Sequence, residues 1–158
     1  MGEILSRAQL VERIAAERRA GRTIAFANGC FDLLHVGHVR YLEAAGQEAD
    51  LLVVALNDDE SVKKLKGEGR PILNADHQTA LVAALRCVDF VVIFPEPDVA
   101  PLLEALHPDV HCKGTDYTVE SVPERAVVAA YGGRTAIVGD PKDHSTRDLL
   151  SRIANESR

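Results

Sequence analysis

Five short runs of largely apolar residues constrain the fold of this chain more than any other feature of its sequence. They read TIAFA, LLVVAL, FVVIF, DVHC and TAIV and begin at Thr23, Leu51, Phe90, Asp109 and Thr135. Runs that stay apolar, without the alternation of a half-exposed strand, are typical of strands covered on both faces of a parallel sheet. The sequence therefore predicts a buried parallel sheet.

Stretches with helical spacing separate these runs. Before the first run, Ser6 and Gln9 have the spacing of a capping box, and Gly21 is the predicted end of that helix. The alternation of strand and helix predicts an α/β fold: a single Rossmann-like, doubly wound, parallel five-stranded sheet with helices on both faces. We expect residues 1–158 to form a single domain, with a helix in residues 1–21 packed on it.

Composition and charge limit the cellular compartments and the binding partners that we expect for this chain. The chain has 18 basic and 24 acidic residues, a net charge of −6, which argues against non-specific binding to nucleic acid or acidic membranes. The first residues lack the apolar stretch of a signal peptide, and no apolar run approaches the roughly 18 residues that span a bilayer. Three cysteines without paired spacing indicate free thiols. We expect a cytoplasmic protein with no nucleic-acid or membrane partner.

The loop after the first predicted strand, residues 28–38, contains several polar residues and glycines that indicate a binding site. Ligands of this architecture lie at the carboxyl ends of the strands. Gly29 would allow a tight turn, and Gly37 would let the backbone approach a ligand closely. His35 and His38 would share one face at a helix start, where free N–H groups already favour anions. Each histidine alone is more often structural, but the pair predicts a phosphate site. A metal site formed by the protein is less favoured, because two histidines need a further ligand, which His111 or Cys112 could supply in principle.

Residues 28–38 resemble the G-x-F-D-x-x-H-x-G-H signature of the cytidylyltransferase-like nucleotidyltransferases. Residues 62–71 are similar to the V-K-x-L-K-G-x-x-R-P stretch of heptose 1-phosphate adenylyltransferases, and residues 113–117 resemble their K-G-x-D-Y. Ser145-Thr146 stands where these enzymes have an S-T-T helix start. The resemblance implies adenylyl transfer from ATP, with Mg²⁺, to a phosphorylated sugar by a homodimer. In many bacteria the activity is fused to a sugar kinase, and we expect it to stand alone here.

Two positions depart from the family pattern. Thr79 stands where the family usually has an arginine, and Arg147 replaces the third residue of S-T-T. We hypothesise that Arg147 supplies the positive charge that Thr79 lacks.

The resemblance assigns a role to each matching residue, and the charge hypothesis adds Arg147. The predicted catalytic residues are His35, His38 and Lys66. The predicted nucleotide-binding residues are Asn28, Gly29, Cys30, Phe31, Gly37, Lys113, Gly114, Ser145, Thr146 and Arg147. The predicted acceptor-binding residues are Asp32, Asn57, Arg70 and Asp116.

Several of these residues have a structural alternative. Asp32 could cap a turn, orient a histidine or hold acceptor hydroxyl groups. Ser145 and Thr146 could simply cap a helix, and the lysines of residues 61–70 could form a solvated helix face.

Other functions remain open at this stage. A cytidylyltransferase that acts on a polyol phosphate such as glycerol 3-phosphate fits the same signature. A nucleotide-binding module without catalysis would be favoured by Thr79, and pyrophosphate release would separate it from an enzyme. A purely structural domain would not need polar motifs at its strand ends. An aminoacyl-tRNA synthetase, which carries a related H-x-G-H, needs more residues than the 158 present.

Overall fold

All five apolar runs form strands of one sheet, and a sixth strand joins its edge. The computed structural model describes residues 1–141 and 145–157. Within them the strands are β1 (Glu3–Ile4), β2 (Ile24–Gly29), β3 (Leu51–Asn57), β4 (Phe90–Phe94), β5 (Val110–Lys113) and β6 (Arg134–Ile137). The α-helices are α1 (Arg7–Arg19), α2 (Val36–Gly46), α3 (Asp59–Lys66), α4 (Ala75–Ala83), α5 (Ala100–Leu106), α6 (Arg125–Ala130) and α7 (Thr146–Glu156).

The prediction of five strands was wrong by one, because β1 is too short to show in the sequence pattern. Its two residues are both exposed and have no run of apolar neighbours. The backbone alone places them beside β4: the Glu3 amide donates to the Asp89 carbonyl at 2.9 Å, and the Leu5 amide donates to the Val91 carbonyl at 2.9 Å.

Every strand pair in the sheet is parallel, in the order β1-β4-β3-β2-β5-β6. After β2 the chain builds outward through β3 to β4, and then crosses back to add β5 and β6 on the other side. The strand order therefore reverses at β2. In doubly wound sheets, the crevice beyond the strand ends at such a point is where ligands bind.

Helices cover both faces of the sheet, as predicted. On one face, Leu10 of α1, Leu102 of α5 and Val128 of α6 pack with Phe26. On the other face, Leu42 of α2 and Val82 of α4 pack against a second set of strand residues. The capping box at Ser6 is present, with the Gln9 side chain accepting from the Ser6 amide at 2.9 Å. In the described part of the chain, no helix has the length and apolar character that crossing a bilayer requires.

The turn expected at Gly29 lies further along the chain. Gly29 is the last residue of β2 and is paired with Leu56. The sharp change of direction occurs at Leu33, whose φ of 58° lies in the left-handed region that side chains rarely adopt. This turn carries the chain from the end of β2 to the start of α2.

Candidate active site

A cleft of about 800 Å³ lies over the carboxyl ends of the central strands. It is lined by residues from the loop after β2, from the two helix starts of α2 and α7, and from the ends of β5 and β6. Eleven predicted site residues line it: Cys30, His35, Gly37, His38, Lys66, Arg70, Gly114, Asp116, Ser145, Thr146 and Arg147. Within the described ranges, six others are outside the lining: Asn28, Gly29, Phe31, Asp32, Asn57 and Lys113.

The two histidines form a stacked pair at the start of α2. Their ring centroids are 3.8 Å apart, and the ring planes differ by 22°. His35 is the N-cap residue, and its Nδ1 accepts from the Gly37 amide at 3.1 Å. The Nδ1 of His38 accepts from the His35 amide at 3.3 Å. A neutral imidazole whose Nδ1 accepts carries its proton on Nε2. The pair therefore has two Nε2–H donors in a wall of the cleft.

Phe31 supports this pair from behind. Its ring is 2% exposed and meets the His38 ring edge-on, with centroids 5.2 Å apart. This packing fixes the imidazole and favours a structural role for Phe31 over the direct nucleotide contact that the resemblance implies.

The basic side of the cleft follows β3. Lys66 ends α3, and Gly67 and Gly69 follow with φ of 94° and 79°. Lys63 instead pairs with Glu68, with Nζ 3.7 Å from the carboxylate. The two lysines therefore differ in their surroundings: Lys66 lines the cleft, whereas Lys63 lies on the solvated face of the helix.

Asp32 is buried beneath this basic side. Its Oδ2 accepts from the Arg70 Nε and the Ile72 amide, and its Oδ1 accepts from the Leu73 amide, each at 2.8 Å. Burial alone would raise the pKa of this carboxyl, but these three donors outweigh it and lower the pKa. The carboxylate is turned toward residues 70–73. This geometry favours support of that segment over a direct contact with acceptor hydroxyl groups or a histidine.

The start of α7 closes the cleft on another side. The Ser145 hydroxyl accepts from the Asp148 amide at 3.0 Å, which is ordinary N-capping. The Thr146 hydroxyl donates to the Asp32 carbonyl at 2.7 Å. Arg147 is exposed and lines the cleft, whereas Thr79 is buried in α4 and donates to the Asp76 carbonyl at 2.9 Å.

Lys113, predicted to bind the nucleotide, has its ammonium group on an aromatic ring instead. Its Nζ lies 4.7 Å from the centroid of the Tyr117 ring. Burial lowers the pKa of Lys113, and Glu124 opposes that shift. Because strand side chains alternate, Lys113 shares a sheet face with His111, opposite to Cys112.

Two asparagines at the strand ends also make internal contacts. The Oδ1 of Asn28 lies 2.8 Å from Nε2 of His111. The Oδ1 of Asn57 accepts from the Cys30 thiol at 3.4 Å. Both amides thus hold neighbouring strand ends together behind the cleft.

His111 provides a pH test of this packing. Burial lowers its pKa to about 3, and Lys113 adds to the shift. The pKa of a histidine in the unfolded chain is near 6.5. Between pH 6.5 and pH 3 the unfolded state therefore binds one proton more than the folded state. Over this range the free energy of unfolding falls by about 1.4 kcal/mol for each pH unit of acidification. We expect His111→Gln to remove that slope between about pH 6.5 and 4.5, measured by denaturant unfolding. His77→Gln, at an exposed position, should keep it. An unchanged slope in His111→Gln would contradict the assignment.

Sequence reasoning missed the residues that line the far side of the cleft. Arg40 and Tyr41 follow Gly37 by three and four positions, so they share its helix face, a spacing that could have pointed to them. The Tyr41 hydroxyl donates to the Cys112 carbonyl at 2.7 Å. Arg40 lies 3.4 Å from the Asp140 carboxylate. Gly139, with φ of 93°, passes so close to Tyr41 that a Cβ atom at position 139 would lie 3.3 Å from the Cα of Tyr41.

Comparison with known proteins shows which sequences and structures this chain resembles. The model of the cytidylyltransferase-like family matches residues 26–152. The bifunctional protein HldE of Syntrophotalea carbinolica is 44% identical over 151 residues, which cover 96% of this chain and 31% of that protein. The HldE of Geobacter sulfurreducens is 47% identical over 140 residues, covering 89% and 29%.

The chain spans about a third of the length of these curated relatives. A solved structure, the lipopolysaccharide core biosynthesis protein from Thermoplasma volcanium, superposes with a TM-score of 0.67 at 24% identity, covering 77% of this chain and 100% of that one. That likeness shows the fold. With the family model matching from β2 into α7, the chain belongs to the cytidylyltransferase-like family, and the resemblance predicted from its signature residues is confirmed.

Proposed function

We propose that the chain is an adenylyltransferase that transfers AMP from ATP to a sugar 1-phosphate, specifically a heptose 1-phosphate, and releases pyrophosphate. The observation that carries this proposal is the stacked pair of His35 and His38, whose Nε2–H donors stand at a helix N-terminus between a basic side and a second helix start. The motif resemblance to heptose 1-phosphate adenylyltransferases and the 44–47% identity to HldE proteins support the choice of acceptor.

The cleft offers different chemistry on its two sides. Lys66 and Arg70, on the β3 side, suit a doubly charged acceptor phosphate. On the β5 and β6 side, Gly114 leaves open space, and Tyr41 and Val138 offer apolar surface suited to a nucleoside. The triphosphate would lie between them, across the helix starts of α2 and α7, where N–H groups favour anions.

The reaction needs positioning and charge neutralisation rather than a covalent intermediate. An oxygen of the acceptor phosphate attacks the α-phosphorus of ATP in line. One O–P bond forms while the bond to the β-phosphate oxygen breaks, and pyrophosphate leaves. His35 and His38 donate hydrogen bonds to the charge that develops around the α-phosphate and the leaving group. Lys66 neutralises charge on the triphosphate and the acceptor.

Magnesium would enter as the Mg²⁺ complex of ATP. The described residues contain no cluster of three or more ligands that would hold a metal by themselves, and the Asp140 carboxylate in the cleft lies 3.4 Å from Arg40.

Chelation tests that part of the proposal. We expect EDTA to abolish pyrophosphate release and excess Mg²⁺ to restore it, because the bare triphosphate keeps its full charge. Turnover that continues in metal-free buffer would remove Mg²⁺ from the scheme.

Arg147 gives a second test, because it lines the cleft while Thr79 does not. A hydrogen bond to a charged group contributes about 1.5–3 kcal/mol, so Arg147→Ala should weaken ATP binding by roughly 10- to 100-fold. Isothermal titration with MgATP measures this directly. Arg152→Ala, on the same helix but outside the cleft lining, is the matched control. Equal affinity in wild type and Arg147→Ala would refute the compensation hypothesis.

A matrix of pyrophosphate-release assays tests the function itself. It crosses ATP, CTP, GTP and UTP with heptose 1-phosphate, glycerol 3-phosphate and related phosphates. We expect the highest kcat/KM for ATP with heptose 1-phosphate. Preference for CTP with glycerol 3-phosphate would instead support a cytidylyltransferase. ATP binding without pyrophosphate release under any pairing would indicate a non-catalytic nucleotide-binding module.

A further inference from the structure

Asp32 connects three segments that all contribute to the cleft. Its carboxylate binds residues 70–73, and its carbonyl accepts from Thr146 at the start of α7. Three residues later, His35 caps α2. The left-handed backbone at Leu33 gives the chain its sharp turn between Asp32 and the histidines. Asp32 thus links both neighbouring segments to the loop that carries the histidine pair.

The carboxylate of Asp32 is buried and already engaged by neighbouring donors. Only 1% of its side chain is exposed, and it accepts three hydrogen bonds at 2.8 Å. A carboxylate in this state holds its donors in place and has no surface to offer a ligand in the cleft.

Arg70, by contrast, retains donor capacity. Its Nε is bound to Asp32, which fixes the plane of the guanidinium group. Its Nη2 is buried and has no hydrogen-bond partner among the described residues. A buried, charged donor without a partner is costly. Because Arg70 also lines the cleft, an anion bound there would offset the uncompensated positive charge of the guanidinium group.

We propose that Asp32 is a positioning residue. Its carboxylate holds the Arg70 guanidinium group in a fixed orientation relative to the histidine pair, and in this orientation Arg70 binds the acceptor phosphate. This inference rests on the proposed function for the identity of the acceptor. It replaces a direct role of Asp32 in acceptor binding with an indirect role through Arg70.

Steady-state kinetics of Asp32→Asn, Arg70→Lys and the double variant test the proposal. We expect each single variant to raise the KM for the acceptor at least tenfold and to change the KM for ATP by less than twofold. The double variant should be no worse than the poorer single variant, because both changes break one interaction. Asp59→Asn is the matched control: Asp59 accepts from the Ala75 amide at 2.7 Å, so it supports the same part of the chain without touching Arg70.

The opposite outcomes are equally specific. An equal rise in both KM values, multiplicative losses in the double variant, or an acceptor defect of the same size in Asp59→Asn would each overturn the proposal. If Asp32→Asn does not fold, Arg70→Lys and Arg70→Gln carry the kinetic test, with the same required split between the two KM values.

A measurement without turnover separates this inference from the proposed function. In ¹H–¹⁵N spectra of the wild-type protein, we expect the Arg70 Nε–Hε signal to be protected from exchange by Asp32 and to shift when inorganic phosphate is added. Asp32→Asn should lose the protection, whereas Asp59→Asn should keep it. A protected, phosphate-responsive signal in a protein that adenylylates nothing would reject the function but support the positioning. An unprotected signal, or no response to phosphate, would reject the positioning even in an active enzyme.

Discussion

Replacing His38 by alanine is expected to reduce the rate of pyrophosphate release by about two to four orders of magnitude, the range spanned by the loss of a positioned acid–base group or of a preorganised hydrogen-bond donor. His38 carries one of the two Nε2–H donors in the cleft wall, and its Nδ1 is fixed by the His35 amide. Alanine removes the donor that we propose for the α-phosphate and also deprives the imidazole of His35 of its stacking partner.

The fold should survive this change. His38 is half-buried, and alanine removes its capping bond, its edge-on contact with Phe31 and its stack on His35, a loss that we expect to cost on the order of 1 kcal/mol. Initial rates at saturating ATP and acceptor, with circular dichroism and thermal unfolding alongside, measure both quantities. His77→Ala, at an exposed histidine of α4, is the control and should leave the rate unchanged. Near-normal turnover in folded His38→Ala would refute the assignment of the pair.

Lys66→Ala should have the next largest effect, a loss of about 100- to 1,000-fold in kcat/KM, comparable to removing one donor from a preorganised charged site. Lys66 lies at the end of α3 and lines the basic side of the cleft. Its removal leaves the triphosphate and the acceptor phosphate with less neutralisation when they are brought together.

Lys64→Ala is the matched control for Lys66→Ala. Both lysines are exposed on the same helix and carry the same charge, but only Lys66 lines the cleft. A loss confined to Lys66→Ala indicates a local contact. Equal losses in the two variants would show that the general positive field of the helix, rather than Lys66 itself, attracts the substrates.

The sequence predicted the parallel sheet and the histidine pair because both depend on local patterns. Apolar runs identify strands, and a spacing of three identifies one helix face. The contacts of Asp32 were harder to predict, since its partner Arg70 lies 38 positions away and only the folded chain brings them together. Strand β1 was not predicted because two exposed residues are too few to show the hydrophobic pattern of a strand.

The contacts of Lys113 were within reach of the sequence, but a different rule was needed. Its position at a strand end suggested a ligand contact, whereas the alternation of side chains along β5 sends it to the face of His111 and Tyr117. A position near a strand end therefore does not by itself predict a ligand contact. The prediction also needs the face of the sheet to which the side chain points.

The location of α7 bears on how the cleft is completed when the chain folds. The hydrogen bond from the Thr146 hydroxyl to the Asp32 carbonyl joins residues 114 positions apart. Contacts between such distant segments form late, because closing a long loop costs conformational entropy before the contact stabilises the fold. The central sheet would therefore form before α7 docks, and a local opening of α7 would remove one side of the cleft while leaving the sheet intact.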